Sequence, residues 1–375
     1  LKAEREIVTS PLRTSINEKQ DTMTYRVIQW STGNVGHHAT RLIANHPDLE
    51  LVGLWVHSPD KVGKDAGDLV GIDPLGVAAT NDIDELLSLD ADCVCYTATA
   101  DLRPGEAIDD MARILASGAN VVSSSVVPLI FPGHLALDMR RPLEDACRAG
   151  GTSCFTSGID PGFANDLLPL VLTGTCEYVD TVRVMEIVNY DTYAQPEVLF
   201  GTMGFGQSLE DTPLLLTPGV LGFAWGGVVK AIAAGLGVEI TELREVHERV
   251  PATERLDLGF GVIEVGTTAG IRFEVQGIVD GEAKIVLEHV TRLHDDIAPD
   301  WPQPAGDSGY RVIVTGNPNY TLDLQMMGDD GDHNTAGLVG TAGRIVNAIP
   351  AVCAAQPGLL SVLDLPLVSG RGTMR

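Results

Sequence analysis

Basic residues are scarce in this chain. Lys and Arg number 25 against 51 Asp and Glu, so the formal net charge is −26. A surface that acidic repels phosphate backbones and anionic headgroups, which argues against nucleic acid and membranes as partners. Cysteine is also sparse. Cys93, Cys95, Cys147, Cys154, Cys176 and Cys353 form no C-x-x-C pair, and several sit in apolar runs. Reduced, buried thiols of a cytoplasmic protein account for them. No uninterrupted apolar run reaches membrane-spanning length. The nearest, "VLGFAWGGVVKAIAAGLGV", is broken by Lys230 and repeated glycines. It reads as a buried helix with Thr217 as N-cap and Pro218 as its first residue. Residues 1–23 are polar, lack the apolar core of a secretory signal, and read as a disordered extension. There is no G-x-S-x-G elbow. His289, His294, Asp295 and Asp296 are close in sequence but lack standard ligand spacing, so no metal is expected.

What is present falls into two regimes, as the 375-residue length allows. Over residues 24–158 short apolar runs ("RVIQW", "LELVGLWV", "DCVCYTA", "ANVVSSS", "GTSCFTSG") alternate with helical patterns. Continuous apolar strands joined by helices predict a doubly wound parallel sheet of α/β class. Over residues 159–332 the strand-like runs predominate, and "DGE" separates two of them as a hairpin signal. That rhythm predicts a second, α+β domain on a mostly antiparallel sheet. Residues 333–375 turn helical again and are expected to return to the first domain or to cross the cleft.

The first strand runs into "STGNVG" and an amphipathic helix, the context that a dinucleotide fingerprint requires. Gly33 and Gly36 fill the second and third glycine positions, while Ser31 replaces the first. Ser31, Thr32, Gly33, Asn34, Val35 and Gly36 are therefore candidates to hold a pyrophosphate at the helix N-terminus. His37 and His38 would add charge there if protonated. At the end of the second strand, where an NAD site places an acid, this chain has "LWVHSPDKVGK". His57, Ser58 and Lys61 suit a 2′-phosphate, so NADP is expected over NAD; an exposed polar turn is the alternative.

Ligands of such sheets lie beyond the strand carboxyl ends. Thr97, Ala98 and Thr99 after the fourth strand and Ser123, Ser124 and Ser125 after the fifth would line the nicotinamide side, unless they are merely small residues at strand ends. "SGIDPGFAND" follows the last strand of the domain. Asp101 and Glu106 stand in the loop after strand four and are candidates to move protons to or from an amine. A turn role for Asp101 and a helix-dipole role for Glu106 compete with that reading.

Together "STGNVG", "TATADLRP", "GIDPGFANDLLP", "APDWP" and "GRIVNAIPAVCAAQPG" resemble the dihydrodipicolinate-reductase-like proteins, in the branch of 2,4-diaminopentanoate dehydrogenase and native amine dehydrogenases. The resemblance implies a Rossmann domain, a second domain that dimerises through its sheet, and NAD(P)H-dependent reductive amination of a ketone or aldehyde with ammonia. It implies an acid after strand four facing the imine, a place for Asp101 or Glu106. It also implies that Asp160, Pro161, Gly162 and Phe163 lie near substrate, and Asn347 near nicotinamide. The paired-histidine, lysine and Ser-Gly-Thr signature of true dihydrodipicolinate reductases is missing, which argues against lysine-pathway reduction. A carbonyl or ring-imine reductase and a non-catalytic NADP sensor are the alternatives.

Overall fold

The computed structural model describes residues 24–100 and 103–374. The first sheet contains β1 (Tyr25–Trp30), β2 (Leu49–Trp55), β3 (Ala79–Thr80), β4 (Cys93–Tyr96), β5 (Asn120–Ser123) and β6 (Ser153–Thr156), all paired parallel in the order 6-5-4-1-2-3. Val27, Ile28, Val94 and Val121 are wholly buried because helices cover both faces. Those helices are α1 (Asn34–Asn45), α2 (Ala66–Val70), α3 (Ile83–Leu87), α4 (Pro104–Ala116) and α5 (Leu137–Gly150). The strand order reverses beside β1 and β4, the switch point where such sheets bind ligands.

After α6 (Leu167–Thr173) the chain enters the second sheet with β7 (Tyr178–Asn189), then forms α7 (Val220–Leu236) and β8 (Glu242–Pro251). The helix α7 starts later than its sequence suggests. Gly219, with φ of 91°, is the N-cap in place of Thr217, because a left-handed residue turns the chain into the helix. A small ribbon of β9 (Leu256–Asp257) and β10 (Val262–Ile263) precedes β11 (Thr268–Val279) and β12 (Glu282–Arg292). These two form the expected hairpin, turning through Asp280 and Gly281 with φ of 52° and 84°. With β13 (Gly309–Asn317) and β14 (Tyr320–Leu324) the sheet has the order 14-13-7-12-11-8. Only the central β7–β12 pair is parallel. Val182, Val184, Phe273 and Leu287 on its inner face pack against Val228, Val229 and Ile232 of α7.

The chain then forms α8 (His333–Val346), capped by Asp332, and α9 (Ile349–Cys353). The run from His333 to Cys353 has the length and hydropathy of a membrane span, yet Ala342, Ile345, Val346, Ile349 and Val352 pack with Val27, Val122 and Phe155 in the first domain's core. The strand β15 (Gly358–Leu360), which sequence patterning does not suggest, adds parallel to β6. The C-terminal segment thus ties the two sheets together and forms one wall of the space between them.

Candidate active site

The glycine turn has a geometry that suits an anion. Gly33 precedes α1 as an N-cap without any side-chain cap, and no acid occupies the first turn, so the first N–H groups of the helix are free of side-chain acceptors. A Cβ on Gly36 would lie 2.2 Å from the Ser31 carbonyl oxygen and 2.7 Å from Thr97 Oγ1, so only glycine lets the helix pack this close to the strand. Ser31 has φ of 83°, the conformation that explains why glycine is usual there. Its carbonyl accepts from the buried Gln29 side chain at 2.9 Å, which also donates to Thr97 Oγ1 at 2.8 Å. Asn34 is exposed and Val35 partly so. The charged forms of His37 and His38 are disfavoured: burial, then the neighbouring Arg41 for His37 and His37 itself for His38, lower both pKa values.

Lys61 reaches back to this turn, its Nζ donating to Thr32 Oγ1 at 2.9 Å. His57 is exposed beside Trp55, and Ser58 is half-buried. Ala98 is buried and Thr99 exposed. Ser125 N donates to Ser123 Oγ at 2.8 Å, Ser125 Oγ donates to the Ala98 carbonyl, and Ser124 N donates to the Tyr96 carbonyl at 3.3 Å. Beyond β6, Thr156 Oγ1 and Asn347 Oδ1 are buried without a hydrogen-bond partner. A dinucleotide with a polar nicotinamide end fits this set: a glycine cradle, free helix N–H groups and orphaned polar atoms beyond the strand ends.

Glu106 lies elsewhere. The helix α4 buries Ala107, Ile108 and Met111, which turns Glu106 to solvent, where its side chain is 71% exposed and pairs with Arg103 at 3.1 Å. It does not line the cavity described next. Asp101 lies outside the described residues.

The chemistry-bearing groups gather instead around a cavity of about 120 Å³ between the second sheet, α8 and the turn after β6. One row across the sheet supplies most of them. Tyr310 of β13 is the ladder partner of Glu186 in β7, Glu186 that of His289 in β12, and His289 that of Phe273 in β11. Inward positions alternate along each strand, so Glu186 follows Val182 and Val184, and His289 follows Ile285 and Leu287. Asp160 comes from the "GIDPGF" turn. Its Oδ1 lies 3.2 Å from His289 Nε2 and accepts from Trp225 Nε1 at 3.0 Å. The other imidazole nitrogen, Nδ1, is 3.3 Å from Glu186 Oε2, while Tyr190 donates its hydroxyl to Glu186 Oε1 at 3.1 Å. The His289 ring stacks on Phe273, with centroids 4.6 Å apart, and meets the edge of Trp225.

Burial and interacting charge set the protonation states. Burial, reinforced by the Asp160 charge, pushes Glu186 up to about 8. Burial opposes a charged His289, but Asp160 and Glu186 outweigh it and raise its pKa. Burial thus favours the protonated form of Glu186, while the facing carboxyl groups favour the charged form of His289. Burial also lifts the Tyr190 and Tyr310 hydroxyls well above their ordinary range, so both remain hydrogen-bond donors. Asp160, Glu186 and His289 offer ligand atoms within 4.8 Å of one another. Both imidazole nitrogens already face carboxylate oxygens, so a metal would have to displace one of those contacts. The remainder of "GIDPGF" supports this corner. Gly162 N donates to Asn165 Oδ1 at 2.9 Å, Pro161 is half-buried, and Phe163 borders an adjoining pocket with Asn347.

An acid, an imidazole and tyrosine hydroxyls beyond the carboxyl ends of a doubly wound sheet with a glycine turn define a two-domain NAD(P)-dependent oxidoreductase. Comparison with known proteins makes this specific. The profile of the 2,4-diaminopentanoate dehydrogenase C-terminal domain matches residues 163–373, and that of the dihydrodipicolinate reductase N-terminus matches residues 27–117. The chain belongs to this 2,4-diaminopentanoate dehydrogenase and amine dehydrogenase family. It is 43% identical over 348 residues to an amine dehydrogenase of Streptomyces virginiae, covering 91% of this chain and 96% of that protein. To the 2,4-diaminopentanoate dehydrogenase of Acetoanaerobium sticklandii it is 26% identical, covering 91% and 93%. The structure of amine dehydrogenase from Mycobacterium smegmatis shares the fold, with TM-score 0.72 at 21% identity over 92% of this chain and 97% of that one.

Proposed function

We propose that the protein is an amine dehydrogenase that joins ammonia to a small ketone or aldehyde and reduces the product with NADPH, and that Glu186 is its proton carrier. The observation that carries this reading is Glu186 itself: a buried acid, held near pH 8 and lining a cavity with little room beyond a small substrate. A bound nicotinamide cofactor would supply the hydride. Thr97, Ser123, Thr156 and Asn347 are the residues suited to hold its nicotinamide end. Glu186 gives its proton to the hydroxyl that leaves the carbinolamine as water, and it draws that proton from the incoming nitrogen. Tyr190 orients the Glu186 carboxyl through Oε1. Tyr193, Met326 and Leu338 make the cavity mostly apolar away from the acids, which suits a carbonyl compound with a short hydrocarbon body.

Preference for NADPH is supported by the position of Lys61 on the turn after β2, where it spans to Thr32 of the glycine loop. We also assign the protein to the cytoplasm, as a homodimer formed through the outer face of the second sheet. That face presents the Arg183, Arg272, Glu274 and Glu288 ion-pair network beside the exposed Val246. Sedimentation analysis checks the dimer, and a monomer at all concentrations would refute it.

The test of activity is NADPH oxidation with a panel of small ketones and aldehydes, with and without ammonium. Ammonium-dependent consumption supports the proposal. Consumption that ignores ammonium points to a carbonyl reductase, and cofactor binding without consumption points to a sensor.

A further inference from the structure

We propose that the Tyr310 hydroxyl holds and polarises the substrate's carbonyl oxygen, and that Gly337 of α8 keeps the approach to that hydroxyl open. The inference rests on the reductive-amination reading and adds to Glu186 a second catalytic residue, one that touches the reacting oxygen. Tyr310 and Gly337 both line the cavity that Glu186 borders. Other polar groups around it are committed. The Tyr190 hydroxyl donates to Glu186, and Ser308 Oγ sits between Asn189 N–H at 3.0 Å and His333 Nε2 at 2.9 Å. Thr341 Oγ1 accepts from Ile159 N–H at 3.3 Å. Among the described residues, none hydrogen-bonds to the Tyr310 hydroxyl. A phenolic donor without a protein acceptor, open to a small cavity, donates to what the cavity binds.

Gly337 carries the second observation. Glycine inside a helix is less favourable than alanine, so a helical glycine calls for a reason. Gly340, one turn on, has a packing reason, because a Cβ there would lie 2.7 Å from Met326 Cε and 2.8 Å from Ile159 Cδ1. Gly337 has no such reason. Among the described residues, a Cβ on it would meet only the Tyr310 hydroxyl oxygen, at an ordinary contact distance of 3.9 Å. The fold has room for alanine at 337, and the space left by the missing methyl lies beside the Tyr310 hydroxyl. Tyr310 is also the ladder partner of Glu186, so the two side chains share one face of the sheet. An oxygen held by Tyr310 is therefore presented to the Glu186 carboxyl.

The reaction balances around that oxygen. Ammonium gives one proton to the Glu186 carboxylate, and the resulting ammonia bonds through nitrogen to the carbonyl carbon. The π pair moves onto oxygen, where the Tyr310 hydrogen bond stabilises the developing charge. Glu186 passes its proton to that oxygen and takes one from the nitrogen, which gives the carbinolamine. It then protonates the hydroxyl, the C–O bond breaks, and water leaves as the nitrogen lone pair closes the C=N bond. Tyr310 keeps its own proton throughout.

The test compares Tyr310→Phe and Gly337→Ala in the full chain, with methyl ketones from propanone to hexan-2-one. Tyr310→Phe should lower the ketone kcat/KM by about 100-fold or more, as removal of one donor to a developing oxyanion does. Its Tm and NADPH dissociation constant should match wild type, because the hydroxyl supports nothing in the fold. Gly337→Ala should lower kcat/KM about tenfold or more by covering the hydroxyl with a methyl, yet raise Tm. The double variant should be no slower than Tyr310→Phe, since both act through one contact. A Tyr310→Phe rate within about threefold of wild type, or a Tm that falls along with the rate, overturns the assignment of Tyr310. Wild-type kinetics in Gly337→Ala overturn the role of that glycine. If wild type shows no ammonium-dependent turnover, the reductive-amination reading has failed, and spectroscopy decides the Tyr310 contact alone. Isotope-edited infrared spectra are taken of ¹³C=O-labelled butanone bound to the NADP⁺-loaded protein. A carbonyl stretch at lower frequency in wild type than in Tyr310→Phe upholds the hydrogen bond. The same frequency in both, or no band from bound ketone, overturns it.

Discussion

Replacing Glu186 by Gln preserves shape and the contact with Tyr190 but removes the proton that the cavity can exchange. The structure sets the size of the effect. Glu186 is held near 8, close to the pH at which an acid both keeps and gives up a proton readily. General acid–base groups so tuned contribute roughly 10²–10⁴-fold in rate, or about 3–5 kcal/mol of barrier. Glu186→Gln is therefore expected to lower kcat for ammonium-dependent NADPH oxidation by at least about 100-fold. NADPH affinity should stay within about twofold, because no cofactor-holding residue proposed above contacts this side chain. The pH profile adds a second reading. Wild-type rate should rise as pH approaches 8, where Glu186 ionises under the influence of Asp160, His289, Tyr190 and Tyr310, and the variant should lose that limb. The assay is stopped-flow absorbance at 340 nm across pH 6–10, with equilibrium titration of NADPH. A variant with wild-type kcat and an unchanged pH profile would refute the assignment of Glu186.

The same cluster should make stability fall with rising pH. Glu186 has a folded pKa raised above its unfolded value, so the folded state binds more protons between about 4.5 and about 8 and its advantage is lost across that window. His289 is also raised, and its contribution is lost as pH rises through its folded pKa. The Glu186 shift corresponds to at most about 5 kcal/mol, so Tm measured by calorimetry should drop by several degrees from pH 6 to pH 9, and Glu186→Gln should flatten that slope. Gly36→Ala would force a Cβ to within 2.2 Å of the Ser31 carbonyl oxygen, and a destabilisation of about 1–3 kcal/mol with weakened NADPH binding is expected from denaturant melts and titration. Lys61→Ala should raise the NADPH KM about tenfold or more while leaving that for NADH near its wild-type value; equal changes for both would remove Lys61 from the 2′-phosphate. Glu106→Gln, which breaks only an exposed pair with Arg103, should leave kcat within about twofold in the same assay.

The doubly wound domain was legible because its signals are local. Each apolar run, each helix stripe and the spacing of Gly33 and Gly36 lie within a dozen residues, and the structure turns them into the expected parallel strands and covering helices. The hairpin at Asp280 and Gly281 was legible for the same reason. The acid cluster was not. Asp160, Glu186 and His289 come from a turn and two strands, and only the lateral pairing of β7 with β12 makes neighbours of residues more than 100 positions apart. A signal was nonetheless present. Within "VRVMEIVN" an acid takes the buried register after Val182 and Val184, and within "KIVLEHVTR" His289 does so after Ile285 and Leu287. A titratable residue in an inward position of a core strand needs a partner, and here the partners are one another. The acids after β4 stand out in the sequence because they follow a strand end, whereas an acid inside a core strand belongs to no motif. The edge strand β15 escaped notice because three residues carry no periodicity.

The most direct test of the central claim follows the nitrogen. The protein is incubated with NADPH, a small ketone and ¹⁵N-labelled ammonium, and the product is identified by mass spectrometry beside a count of NADPH consumed. Reductive amination predicts a primary amine carrying the label, formed one for one with NADPH oxidised. An alcohol, or an amine without the label, would contradict it.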